Sequence, residues 1–211
     1  MKPLYLIGLK REKTITSTNK NCAVTSFWHG ISAYFNYNDK SIVNFVVGTP
    51  ACSSCIVCPS LTLDFNPLTI NGNFRCKAPS THGFIPQTYS DPMITDSILS
   101  AVGNGRPLMA FNLSCGKYCA GEILAARIVG AIGVTTEGRT NWQILVRCIG
   151  DWCSTNNSTK IRRFIEDNYP NSTIIAEYNA TQAIQIVRNG FTQWFDLVNN
   201  GNNSLALVSG F

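Results

Sequence analysis

From residue 94 to the C-terminus, apolar runs and polar punctuation alternate with a regular beat. ITDSILSAV (94–102) reads as a helix ended by Gly103 and Gly105, and RPLMAFNLS (106–114) as a buried strand. GEILAARIVGAI (121–132) continues as a helix closed by Gly133, and NWQILVRCIG (141–150) as a strand. STKIRRFIEDNY (158–169) starts on an N-cap at Ser158, puts Ile161, Phe164 and Ile165 on one face, and stops at Pro170. STIIAEY (172–178) is a strand and ATQAIQIVRNGFTQWFDLV (180–198) a long amphipathic helix, with a stripe of Ile184, Val187, Phe191, Trp194, Phe195 and Val198. SLALVSGF (204–211) closes the chain as a strand.

Strands that are continuous apolar runs, separated by helices, predict an α/β fold: a mainly parallel sheet with helices on both faces over residues 94–211. Residues 1–93 predict a less regular, β-rich subdomain with long loops. SIVNFVVG and LTLDFNPLTI are its strands, and NCAVTSFWHGISAYF (21–35) is a candidate helix. Gly, Pro, Ser and Asn dominate residues 66–92, so the boundary falls between Pro79 and Pro92 unless the chain is one continuous domain.

Composition narrows the function classes. Hydrophobic residues make up 45% and charged residues 14%, which excludes a disordered chain. The net charge of +5 comes from scarce acids, and no basic run marks a nucleic-acid footprint. A small molecule or a peptide is the partner class this leaves. No run reaches the about 18 apolar residues of a membrane-spanning helix, and the apolar stretch in MKPLYLIGLKREK is too short for a signal-peptide core.

The chemistry sits in nine cysteines, an odd number that leaves at least one thiol free. TPACSSCIVCPS (49–60) spaces Cys52, Cys55 and Cys58 at intervals of three, with Cys76 or His82 available as a fourth ligand. Such spacing on a tight turn suits a structural zinc ion. An iron–sulfur cluster is the second reading, and a local disulfide or unrelated buried thiols are the alternatives. LSCGKYCAGEI carries Cys115 and Cys119 at the predicted exit of a strand, where a following helix N-terminus would lower a thiol pKa. This turn resembles the nucleophile elbow of cysteine amidotransferase-type enzymes, which implies Cys119 or Cys115 as nucleophile. NKNCAVTSFWHG locally resembles the cysteine box of papain-like proteases, which implies Cys22 as nucleophile and His82 as base. Only His29 and His82 can serve as a base in either case.

These features predict a cysteine-dependent hydrolase or amidohydrolase, a thiol protease among them, with a metal-binding cysteine segment. The alternative is a non-enzymatic ligand-binding or structural protein of a viral or secreted assembly. KIRRFIEDNYPNSTIIAEYNATQAIQIVRNG supports that alternative, because it resembles a lobe of bilobal solute-binding proteins. The resemblance implies Ser154, Thr155, Asn179 and Thr181 as anion ligands.

Overall fold

The computed structural model describes residues 14–15, 17–18, 24–151, 153, 158–169 and 171–199. In chain order the elements are β1 (Thr14–Ile15), β2 (Ser17–Thr18), β3 (Val24–Thr25), β4 (Ile42–Thr49), β5 (Cys55–Pro59), β6 (Leu68–Asn73) and β7 (His82–Phe84). There follow β8 (Thr95–Asp96), β9 (Ala101–Val102), β10 (Met109–Asn112), β11 (Ile123–Thr136), β12 (Arg139–Cys148), α1 (Ser158–Asn168), β13 (Ser172–Asn179) and α2 (Ala180–Asn199).

The largest sheet runs β13-β11-β4-β7-β10-β12-β9-β8, and β11 also pairs with β12. That extra pairing closes β11, β4, β7, β10 and β12 into a five-stranded barrel. Closure depends on the length of β11. Its first half pairs with β4 and its second half with both β12 and β13. β4 and β7, from before residue 93, stand between β11 and β10, from after it.

The fold is therefore mostly β with two helices among the described residues, and the expected parallel sheet with helices on both faces is wrong. Among the described residues only β10–β12 and β12–β9 are parallel; the other strand pairings are antiparallel. GEILAARIVGAI is the decisive misreading. Its continuous apolar character fits a strand buried on both faces as well as a buried helix. Its β-branched continuation IGVTT runs into a two-residue hairpin turn at Glu137 (φ 52°) and Gly138 (φ 75°). Positive φ at both central positions matches the twist of a hairpin, and glycine takes it without strain. The 94–102 segment is likewise two short strands joined by a turn. The 21–35 segment carries β3 followed by turns, and 204–211 lies outside the described residues.

α1 and α2 form where the periodicity placed them. α2 opens on a reciprocal cap: the Gln182 amide donates to Asn179 Oδ1 (3.1 Å) and the Asn179 amide to Gln182 Oε1 (3.2 Å). α2 covers the sheet face bearing Ala110, Ile144 and Val146, through Ala183, Ile186 and Val187. Trp194 is buried with Trp28, Tyr89 and Leu197, Phe191 is half-buried, and Phe195 is exposed. The opposite face carries Phe111, Ile132 and Val134, covered by Ile161, Phe164 and Ile165 of α1. Between β4 and β7 the backbones come close: a Cβ on Gly83 would lie 2.0 Å from the Val46 carbonyl oxygen, so only glycine fits.

Candidate functional site

The α1-covered face opens, near the β11–β12 hairpin, into a cavity of about 500 Å³. That size is ordinary for a small-molecule site. β12 lines it with Arg139, Thr140, Asn141 and Gln143, and the end of β11 adds Thr136 and Glu137. Asn104 and Arg106 come from the loop before β10, and Met109 from β10 itself. Ile56, Cys58 and Asn71 arrive from β5 and β6, His82 from the start of β7, and Tyr169 from the end of α1. The register explains the grouping. Met109 lies opposite Gln143 and Gln143 opposite Ile132, so one face collects them.

His82 is the buried anchor. Its ring packs against Phe111 (centroids 4.5 Å apart) and the edge of Phe74 (6.0 Å). Nε2 lies 3.4 Å from Gln143 Oε1, and Gln143 Nε2 donates to Asn141 Oδ1 at 2.8 Å. Burial pushes the His82 pKa down to about 4 against the opposing Gln143 bond, so the imidazole is neutral at pH 7. Burial also pushes Tyr169 up to about 12; Arg106 pulls the other way and Cys58 adds to the rise. Two polar atoms in the wall, His82 Nδ1 and Thr136 Oγ1, are buried with no protein hydrogen-bond partner among the described residues.

The charge balance follows. Arg106 and Arg139 are cationic, His82 and Tyr169 are neutral, and Glu137 is the single carboxylate in the wall among the described residues. Arg139 Nη1 also reaches the Gly103 carbonyl at 3.4 Å, which holds it towards the 104–106 loop. Two guanidinium forks beside the unpartnered Thr136 hydroxyl and the side-chain amides suit an anion with several oxygens, and phosphate above all.

The cysteine expectations separate in space. Cys115 is disulfide-bonded to Cys153, so its thiol is not available as a nucleophile. Cys119 is free and exposed on the loop before β11, and the strand that follows offers no helix N-terminus to activate it. Cys22 lies outside the described residues. Cys52, Cys55, Cys58 and Cys76 are free, and no group of His, Cys, Asp or Glu among the described residues can hold a metal. The physical reason is local. Residues 55–59 are strand rather than turn, and side chains three apart on a strand diverge. Cys55 packs with Phe27, Val57 and Phe84, whereas Cys58 faces the cavity and accepts from Asn71 at 3.7 Å. Cys76 instead accepts from Asn168 Nδ2 at 3.0 Å. Asp151, at the exit of β12, is a cap: it accepts from the Gly116 amide (2.7 Å), Tyr118 (3.0 Å) and the Cys153 amide (3.1 Å). Of the expected site residues, the cavity brings together only His82 and Cys58. Arg106, Arg139, Asn141, Gln143 and Tyr169 were missed. The Glu137-Gly138 pair between two apolar runs was the available signal, because a hairpin there sets Arg139 and Asn141 beside the end of β11.

A small closed barrel with a cationic cavity on its α1-covered face defines the class, and comparison with known proteins supplies the family. The profile of the inorganic pyrophosphatase family matches residues 71–195, and the chain belongs to that family. A Schizosaccharomyces pombe protein named as an inorganic pyrophosphatase is 33% identical over 143 residues, covering 63% of this chain and 49% of its own length. The Dictyostelium discoideum inorganic pyrophosphatase is 28% identical over 137 residues, covering 62% and 48%. The chain thus spans about half the length of the curated relatives it matches. The fold agrees with the Toxoplasma gondii type I inorganic pyrophosphatase, with a TM-score of 0.82 at 19% identity over 93% of this chain and 99% of that one. Membership in a family of phosphoanhydride hydrolases overturns both expected functions, the thiol hydrolase and the non-enzymatic assembly protein.

Pyrophosphatases use divalent metal cofactors, typically Mg²⁺, and zinc has no support here. The cavity's donors do not fit such an ion. Mg²⁺ is held through carboxylates and strongly hydrated. Here the only carboxylate is Glu137, exposed on the hairpin turn, and the wall's other charges are two guanidiniums. Two of the amide oxygens are already engaged: Asn141 Oδ1 by Gln143, and Asn104 Oδ1 by the Arg106 amide at 3.0 Å.

Proposed function

We propose that the cavity recognises phosphoanhydrides, inorganic diphosphate first. The observation that carries this reading is the pair Arg106 and Arg139, set on the wall of one cavity whose only carboxylate is Glu137. Each guanidinium presents two parallel N–H donors to a phosphoryl group, and a diphosphate offers one such group to each arginine. Gln143 and Asn141, locked to one another and to neutral His82, form a rigid polar floor. Family membership supports the same substrate class.

Calorimetric titration tests it. Diphosphate binds the wild-type chain, and Arg139→Gln and Arg106→Gln each weaken it by about 10- to 100-fold, the loss expected when one charged hydrogen-bond donor set is removed. Both arginines are exposed, so the variants keep the fold. Unchanged affinity in both variants would remove the cavity from consideration.

A further inference from the structure

We infer that this cavity takes its diphosphate as the free anion, without a divalent cation; the inference rests on the phosphoanhydride reading above. In a site that binds its anion through a metal, carboxylates hold the cation and the cation meets the phosphate. This wall reverses that order. Arg106 and Arg139 already supply the positive charge, and one exposed carboxylate, Glu137, stands against them. A divalent ion placed here would meet two like charges and a single anionic ligand, while Asn141 Oδ1 and Asn104 Oδ1 already accept from Gln143 and from the Arg106 amide. The buried hydroxyl of Thr136, unpartnered in the wall, is by contrast a donor free to meet a phosphoryl oxygen. Electrophilic assistance to a bound phosphoanhydride then falls to the guanidinium groups.

The sign of the Glu137 contribution separates the two arrangements. As a metal anchor, its carboxylate would be needed for binding. As a lone negative charge beside an anion site, it opposes binding. The test is calorimetric titration of diphosphate into the full chain in EDTA and again in Mg²⁺, for wild type and Glu137→Gln, with Mn²⁺ alone titrated by electron paramagnetic resonance. The expected results are three. Binding in EDTA is at least as tight as in Mg²⁺, Glu137→Gln tightens it by about threefold or more, and Mn²⁺ keeps the spectrum of the free ion. Binding that appears only with Mg²⁺, a loss of about tenfold in Glu137→Gln, or Mn²⁺ captured by the apo chain would each overturn the inference while leaving the phosphoanhydride reading intact. No binding under either condition would instead bring down that reading, and the inference with it.

Discussion

Acidification from pH 7 to pH 4 removes about 6 kcal/mol from the unfolding free energy of this chain, about 3 kcal/mol for each of its two histidines. Both imidazoles are buried, and burial lowers each pKa to about 4 from an ordinary 6.5. Above pH 6.5 both are neutral in the folded and the unfolded chain, so stability is fully present. Between about 6.5 and 4 the unfolded chain binds protons that the folded chain refuses, and stability falls with pH. The geometry agrees at His29, whose Nδ1 accepts a 2.8 Å bond from Trp194 Nε1 and therefore holds a lone pair rather than a proton. The loss is a large fraction of the about 5–15 kcal/mol that stabilises an ordinary domain, so the denaturation midpoint falls steeply across this window. Denaturant titrations at closely spaced pH values measure the slope. A flat profile from pH 6.5 to 4 would mean that the imidazoles are not held neutral.

Truncating Trp194 to Ala lowers the unfolding free energy by about 3–5 kcal/mol. The indole is 6% exposed and fills the space between Trp28, Tyr89 and Leu197, so its removal leaves a cavity that helix and barrel cannot both close. The same substitution strips His29 Nδ1 of its donor. Trp194→Phe separates the two contributions: it keeps most of the packing and loses the hydrogen bond, for about 1–2 kcal/mol. Equal losses in the two variants would show that packing is not the larger effect.

The two helices were legible because their signals are local and redundant. In α2 the expected stripe holds at Val187 and Trp194, while the buried face runs on through Ala183, Ile186 and Leu197 and leaves Phe195 exposed, a rotation of about one residue. β4, β10, β12 and β13 were legible as apolar runs of strand length. β11 was not, because Ile123–Thr136 is apolar on both faces, and periodicity cannot then tell strand from helix. Barrel closure rests on pairings between residues distant in sequence, such as Ile123 with Val46, which no local pattern encodes. The site was harder still. Arg106 and Arg139 are 33 positions apart and meet only through the β10–β12 register and the adjoining loop, whereas the clustered cysteines drew notice by spacing alone. His82 emerged for the wrong reason: its rarity marked it as a base, and its burial makes it a structural anchor of the cavity floor.

On the proposed function, a diphosphate binds in the cavity lined by Arg106 and Arg139. A crystal structure of this chain grown with saturating diphosphate tests that claim most directly. The predicted result is one diphosphate in the cavity, each phosphoryl group forked by one guanidinium and the Gln143–Asn141 pair unmoved beneath it. Diphosphate bound elsewhere on the chain, with this cavity empty, would contradict it.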